Sequence, residues 1–146
     1  MEQLTAALNI AVANTFVMYF KAHSYHWNVE GADFTQYHDF LSDLYTDLHD
    51  AVDPTAERIR VIGQYAPHSL KDMLESSTIK EDDDKPSSPR EMFTNLLDAN
   101  KEVVDSLNKV FELATSAKKQ GIADFAAGRL DVHDKHAWFL KSLLKG

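Results

Sequence analysis

The sequence contains no cysteine, only 5 glycines and 4 prolines among 146 residues, and no long uninterrupted apolar run. Without cysteine it has no disulfide framework, no thiol nucleophile and no thiolate metal ligand, so a bound metal must be held by histidine, carboxylate or hydroxyl groups. No apolar run approaches the ~20 residues of a membrane-spanning helix, and the start MEQLTAALNI lacks the basic segment of a signal peptide. We therefore expect a cytoplasmic protein with no membrane association.

Basic residues are also scarce, with 15 Lys and Arg against 23 Asp and Glu, for a net charge of −8. Neither end carries a cluster of basic residues, so the sequence predicts weak or no direct binding to DNA, whose phosphates are contacted by clustered lysine and arginine. The 44% hydrophobic content excludes intrinsic disorder and predicts one compact domain over residues 1–146. An acidic surface instead favours cations as ligands.

Apolar residues recur at helical spacing in four long blocks, and no sustained alternation typical of a half-buried strand occurs. The pattern predicts an all-α protein with helices over about 2–28, from Phe34 to Gly63, from Ser88 to the segment ending at Gly121, and over about 122–144. Within the third helix, the apolar stripe is expected to run from Phe93 through Asn100 to Phe111.

Local signals place the helix boundaries. Asp33 and Gln36 have the spacing of a reciprocal capping box, and Ser88–Glu91 combines a hydroxyl cap, proline at the first helical position and glutamate at the third. Gly121 follows two lysines and is expected where the third helix ends. Pro54 predicts a kink in the second helix, unless that helix stops there and restarts.

About 25 residues separate the second and third long helices, far more than an antiparallel hairpin needs. Ser69 is placed to cap one short helix in this connection, and residues 81–86 are expected to form a solvated linker. A connection of this length can return along the bundle. The sequence therefore predicts a ferritin-like four-helix bundle with one crossover and a short extra helix between helices two and three.

Three of the seven histidines, His23, His26 and His38, lie where the first helix ends and the second begins. Imidazole nitrogens grouped beside a tight turn are suited to binding a transition metal. The alternative is that these are ordinary surface or capping histidines.

Further along the second helix, Asp50, Asp53 and Glu57 share one face because they are three and four residues apart. Carboxylates in this arrangement can ligate a metal. Alternatively they form a solvated acidic stripe, with Glu57 paired to Arg58 or Arg60.

The histidines and the carboxylates cannot share a metal within one chain. His38 and Asp53 are fifteen residues apart on the same helix, which is about 22 Å at ~1.5 Å per residue. If both groups belong to one site, two antiparallel copies of the second helix must meet across a two-fold axis. His26 and His38 of one subunit would then face Asp53 and Glu57 of another, so a functional site requires a dimer or a larger assembly.

The chain resembles the Dps family of mini-ferritins over nearly its whole length, and most specifically over residues 26–59. The resemblance is carried by His26-Trp27-Asn28-Val29-Glu30-Gly31, Phe34, His38, Tyr45, Asp53, Ala56-Glu57-Arg58-Ile59 and His133-Asp134-Lys135-His136-Ala137-Trp138. It implies a homododecameric shell that oxidises Fe(II) with hydrogen peroxide or O₂ and stores the ferric product inside, protecting the cell and its DNA. It also implies that His26 and His38 of one subunit, with Asp53 and Glu57 of its partner, are the iron ligands and catalytic residues.

The sequence departs from the family pattern at Ser42, where a carboxylate four residues after the second histidine is usual. Asp39 and Asp43 flank this position but point elsewhere on the helix, and Asp43 could substitute only through a shift in register. Because hard cations take much of their binding energy from carboxylates, we expect a weakened second iron position, one tight site for iron or zinc, and slower or peroxide-dependent oxidation. Trp27 either shields the site or packs in the core.

Asp124, Asp131 and Asp134 lie within about 80° of one another around the fourth helix. In the family the comparable stretch lines negatively charged pores, and converging carboxylates attract cations. A plain solvated face is the alternative. The basic extension on which DNA binding usually relies in the family does not occur in this sequence.

Two other functions remain open. A cage of the same kind could sequester iron or zinc with little oxidation, because Ser42 replaces a ligand. A purely structural helical oligomer would make the spacing of His26, His38, Asp53 and Glu57 accidental.

Overall fold

The computed structural model describes residues 1–146 and contains five α-helices and no strand. The helices are α1 (Glu2–Asn28), α2 (Phe34–Val61), α3 (Leu70–Ser76), α4 (Pro89–Ser116) and α5 (Gln120–Leu143). The all-α prediction, with four long helices and a short one in the connection, is confirmed.

The long helices form two antiparallel hairpins that pack into one bundle. In the first, the rings of Tyr19 on α1 and Tyr45 on α2 are in contact. In the second, Asn100 on α4 bonds the backbone of His133 on α5. α2 and α4 run in the same direction, because Tyr37 and Phe93, each near the start of its helix, pack together. The connection between them must therefore travel the length of the bundle, as the sequence predicted.

α1 is the central helix of the bundle and packs against α2, α3 and α4. By length and composition alone it would pass for a membrane-spanning helix, a feature that the search for uninterrupted apolar runs missed. Leu8, Ala11, Met18 and Ala22 are almost completely inaccessible to solvent within the bundle. The apolar character of α1 is thus accounted for by the protein core.

Residues 81–85 of the crossover are exposed, as the sequence predicted for a solvated linker, but hydrogen bonds to polar side chains of α1 also anchor the crossover. Asp82 accepts hydrogen bonds from Lys21 at 2.9 Å and from the hydroxyl of Tyr25. Asn14, fully buried, bonds Thr78 through both its amide nitrogen and its carbonyl oxygen. These bonds satisfy polar groups that would otherwise destabilise the core.

The helix boundaries follow some of the sequence signals and not others. Ser69 and Ser88 each accept a hydrogen bond from the backbone N–H three residues later, as predicted. Asp33 occupies the N-cap position of α2 without a side-chain cap, so the predicted capping box is wrong. Gly121 lies inside α5, and the left-handed residue of the α4–α5 turn is Lys118, with φ 58°.

The structure also tests two predictions about the interior of α2 and α4. α2 continues through Pro54 without stopping, which removes the alternative of two separate helices. Phe111 is 39% exposed, so it is wrong to include it in the core stripe of α4, which instead runs through Val103, Leu107 and Val110.

Candidate metal centre

His26 at the end of α1 and His38 at the start of α2 form a tightly coupled pair. Their rings are stacked with centroids 3.7 Å apart. Each Nδ1 lies 2.8 Å from the backbone carbonyl oxygen of the other histidine. The turn between the two antiparallel helices, which includes Gly31 at φ +121°, brings them together.

The paired hydrogen bonds determine which ring nitrogen can bind a metal. A carbonyl oxygen only accepts, so each Nδ1 carries the proton and each Nε2 of the neutral imidazole keeps its lone pair. A hydrogen bond from the other nitrogen to a backbone carbonyl is the usual way in which a metal-binding histidine is oriented. The His26 and His38 side chains are half-buried rather than sealed in the core. They therefore present two preoriented nitrogen ligands close to the surface.

Asp53 and Glu57 lie on the exposed face of α2, one turn apart, and neither forms an ion pair within the chain. The alternative pairing of Glu57 with a neighbouring arginine does not occur. Arg58 bonds the carbonyl of Pro54 and stacks on Phe125, whereas Arg60 bonds the carbonyl of Gln64. The two carboxylates therefore remain free to accept a cation.

One chain does not bring the four predicted ligands together. No group of three or more His, Asp or Glu side chains within the chain is arranged to hold a metal. The histidine pair lies at the start of α2, whereas Asp53 lies fifteen residues along the same helix, about 22 Å away. The predicted ligands therefore form two separate groups in the chain, the histidine pair at the α1–α2 turn and the two carboxylates further along α2.

The residues predicted to modify the site lie around the histidine pair. Ser42 is half-buried one turn after His38 on α2, and Asp43 is exposed on the adjacent face. Trp27 is 57% exposed, so packing in the core of the subunit does not explain it. Its ring lies 4.2 Å from that of His23.

His23 and Tyr45 extend the histidine pair along the interface between α1 and α2. Their rings are stacked, with centroids 3.8 Å apart, and Tyr45 also meets the edge of His26 at 5.1 Å. Burial, followed by the nearby imidazoles of His26 and His49, lowers the pKa of His23. The imidazole of His23 is therefore uncharged at neutral pH.

The three acidic residues proposed to line a pore, Asp124, Asp131 and Asp134, are all exposed on α5. None of them forms an ion pair within the chain. These carboxylates are therefore in contact with solvent.

A buried polar network inside the bundle was missed by the sequence analysis. Arg129 on α5 makes two 3.0 Å bonds to the carboxylate of Asp47 on α2, and His136 bonds the same carboxylate at 2.7 Å. His133 lies between Arg129 and Asn100 on α4. Asn100 in an otherwise apolar stripe was the one signal that could have indicated a buried partner.

This network has strong electrostatic effects. The histidine and the guanidinium hold the pKa of Asp47 well below its usual range, despite burial that acts in the opposite direction. Burial, then the charge of Arg129, lowers the pKa of His133 to about 3. Because the oxygen of Asn100 accepts a bond from Nδ1 of His133, Nε2 is left to accept one from Arg129. The network is fully satisfied and joins α2, α4 and α5.

Comparisons with known proteins agree with this architecture. A family model described as Ferritin-like domain matches residues 5–146. The DNA protection during starvation protein of Brevibacillus brevis is 33% identical over 99% of this chain and 97% of its own length.

Two solved structures superimpose closely. Dps from Staphylococcus aureus is 32% identical, with a TM-score of 0.93 over 100% of this chain and 97% of that chain. A Dps protein from Vibrio cholerae, described as a member of a broad superfamily of ferritin-like diiron-carboxylate proteins, is 30% identical. Its TM-score is 0.93 over 99% of this chain and 90% of that chain.

Proposed function

The chain belongs to the Dps family of ferritin-like proteins, and from this premise we propose that it oxidises Fe(II) and stores the ferric product inside a hollow homododecameric shell. The observation that carries the proposal is the histidine pair. The backbone carbonyl of each histidine accepts a hydrogen bond from Nδ1 of the other and so fixes its tautomer. Both Nε2 atoms are therefore available as ligands. Two preoriented imidazoles beside a solvent-accessible face are suited to a borderline cation such as Fe(II) or Zn(II).

The complete site is assembled from two subunits. His26 and His38 of one subunit meet Asp53 and Glu57 of its partner across a two-fold axis, where α2 packs antiparallel to its copy. Support comes from the unpaired state of both carboxylates and from their distance from the histidines of the same chain. A mixed nitrogen and carboxylate set binds Fe(II) and also stabilises the Fe(III) formed by oxidation, because hard cations prefer oxygen ligands.

The reaction consumes both reagents that generate hydroxyl radicals. Two Fe(II) ions supply the two electrons that hydrogen peroxide needs, and with two protons the products are two Fe(III) ions and two water molecules. O₂ is the alternative oxidant. Removal of Fe(II) and peroxide in the cytoplasm then protects DNA without direct contact, and the net charge of −8 argues against a stable DNA complex.

Cations enter the shell through acidic openings. The exposed carboxylates of Asp124, Asp131 and Asp134 on α5 are suited to lining them, because converging negative charges raise the local concentration of cations. Carboxylates on the inner wall would then bind the ferric product.

Ser42 favours a second candidate function. Its hydroxyl stands one turn after His38, where the family usually has a carboxylate, so the site has one anionic ligand fewer. Such a site could hold a single iron or zinc ion tightly and oxidise little. The protein would then be a metal-sequestering cage rather than a ferroxidase.

Anaerobic addition of Fe(II) to the metal-free protein, followed by peroxide or O₂, tests the proposal. Ferric absorbance gives the rate, and gel filtration gives the size of the assembly and the iron retained. Oxidation well above the protein-free rate, with many irons in a shell-sized assembly, is expected. Oxidation at the protein-free rate with few metals retained would establish the sequestering cage, and a monomer would contradict both functions.

A further inference from the structure

A series of aromatic rings leads from the histidine pair along the interface between α1 and α2. Tyr45 meets the edge of the His26 ring with centroids 5.1 Å apart and stacks on His23 at 3.8 Å. Tyr19 follows at 6.2 Å from Tyr45 and 5.6 Å from His23. These contacts form a continuous path of polarisable rings that begins at a proposed iron ligand.

Tyr19, at the end of this series, has a proton acceptor. Its hydroxyl oxygen lies 2.9 Å from Nδ1 of His23. Oxidation of a phenol at neutral pH requires loss of its proton along with the electron, so a hydrogen-bonded imidazole makes tyrosine the easier electron donor. Tyr45, nearer the histidine pair, makes no hydrogen bond through its hydroxyl within the chain.

The ligand set creates a need for such a donor. Hydrogen peroxide takes up two electrons when it is reduced to water, and one Fe(II) supplies only one. With Ser42 in place of a carboxylate, a site that holds one iron is an electron short. A single Fe(II) reacting alone would instead split peroxide into hydroxide and a hydroxyl radical.

We infer that Tyr19 supplies the second electron, through Tyr45 and His23, when one Fe(II) at the His26 and His38 site reduces hydrogen peroxide. Fe(II), hydrogen peroxide, the phenol and one added proton give Fe(III), two water molecules and a neutral tyrosyl radical. The O–O bond breaks, the iron and the tyrosine are each oxidised by one electron, and the phenolic proton leaves along the hydrogen bond to His23 and, with the added proton, completes the two water molecules. This inference rests on the proposed function.

A second Fe(II) restores the tyrosine. It reduces the radical, which takes up a second added proton to become the phenol again, and the iron leaves as Fe(III) for the mineral. The two steps sum to two Fe(II) ions oxidised per peroxide, the same balance as at a site that holds two irons. The aromatic series thus allows one iron position to carry out a two-electron reduction without releasing hydroxyl radical.

The experiment follows the radical directly. Wild-type protein and the Tyr19→Phe variant, each loaded anaerobically with less than one Fe(II) per site, are mixed with hydrogen peroxide and frozen for EPR. The wild type is expected to give a tyrosyl signal that narrows when the protein is grown with ring-deuterated tyrosine. In Tyr19→Phe the signal falls to the iron-free level, and a spin trap detects hydroxyl radical that the wild type does not release.

Tyr65→Phe is the matched control, because Tyr65 is 83% exposed and lies outside the series. It should retain both the signal and the low hydroxyl-radical yield. Anaerobic Fe(II) binding should be the same in both variants and the wild type, which shows that Tyr19→Phe leaves the metal site folded.

The outcomes separate the inference from the function on which it rests. A radical of unchanged size in Tyr19→Phe, or one that ring-deuterated tryptophan narrows instead, would overturn the role of Tyr19. Wild-type protein that oxidises Fe(II) rapidly but forms no radical would overturn the relay alone. Wild-type protein that neither binds Fe(II) nor speeds its oxidation would overturn the proposed function as well.

Discussion

His26 and His38 orient each other, because the Nδ1 of each donates a 2.8 Å hydrogen bond to the backbone carbonyl of the other. This reciprocal arrangement joins the last turn of α1 to the first turn of α2 and leaves both Nε2 atoms free. Neither imidazole needs a separate carboxylate to set its tautomer. The proposed metal-binding histidine pair is therefore held in place by the helical hairpin itself.

Subunit mixing tests whether the site is shared between chains. His38→Ala and Glu57→Ala are each expected to oxidise Fe(II) no faster than the protein-free control, since each lacks a ligand in every site. In a dimer of one subunit of each kind, one site lacks both residues and the other is intact. Co-refolded mixtures should therefore regain activity as measured by ferric absorbance, whereas a site confined to one chain would regain none.

A second prediction concerns Ser42. Ser42→Asp adds an anionic oxygen one turn after His38 and should strengthen binding of the second iron, raising both the oxidation rate and the number of Fe(II) ions bound per site. Anaerobic calorimetric titration and stopped-flow absorbance measure these two quantities. Thr94→Asp adds the same charge at an exposed position on α4 and should change neither. An unchanged stoichiometry in Ser42→Asp would show that the missing carboxylate is not what limits the site.

The crossover anchor predicts a stability difference between neighbouring acidic residues. Asp82→Asn removes the counter-charge of Lys21, whose side chain is only 6% exposed. The free energy of unfolding should fall by about 2–3 kcal/mol. This is less than the loss of ~3–5 kcal/mol on breaking a fully buried ion pair, because the side chain of Asp82 is 27% exposed. Asp83→Asn, at an exposed position beside it, should stay within about 0.5 kcal/mol of the wild type. Denaturant unfolding of the two variants measures the difference, and equal losses would refute the anchor.

The buried network predicts how stability depends on pH. The pKa of His133 falls to about 3 in the folded protein, from 6.5 for an ordinary histidine, so below pH 6.5 the unfolded chain takes up a proton that the folded chain does not. The contribution of His133 to the free energy of unfolding is fully present above pH 6.5 and is lost progressively as the pH falls toward 3. His23, whose pKa is also lowered, contributes in the same direction. Asp47 adds a further loss that begins as the pH falls through the ordinary pKa of a carboxylate and continues below it, because its pKa is lowered in the folded protein.

His133→Gln isolates this contribution. The variant should be less stable at neutral pH, but its free energy of unfolding should change less between pH 6.5 and 4 than that of the wild type. His68→Gln replaces a histidine whose side chain is 86% exposed and should keep the wild-type slope. Denaturant midpoints across this pH range provide the measurement. If the free energy of unfolding changed equally with pH in the wild type and in His133→Gln, His133 would not be the source of this pH dependence.

The order and class of the helices were predictable because they depend on features close together in the sequence. Apolar spacing located the four long helices, and hydroxyl caps at Ser69 and Ser88 marked the start of α3 and α4. The proximity of His26 to His38 followed from a short turn between antiparallel helices. The distance from His38 to Asp53 followed from the rise of one continuous helix.

Other features depend on partners that are remote in the sequence. In the sequence, Asp82 is one of four consecutive acidic residues. Only Asp82 bonds Lys21 and Tyr25, which lie some sixty positions earlier. Asp47 and Arg129 are joined by a bundle geometry that no local pattern encodes. Lys118, rather than Gly121, takes the left-handed conformation, because the ends of α4 and α5 fix where the chain must turn.

The sequence by itself therefore determined the helices, the crossover and the separation of the histidine pair from Asp53 and Glu57, because local periodicity and helical rise are sufficient for these. Only the tertiary structure decided which polar groups are buried and what they bond. A buried charge is stable only where a partner from another helix reaches it, and that depends on how the helices pack.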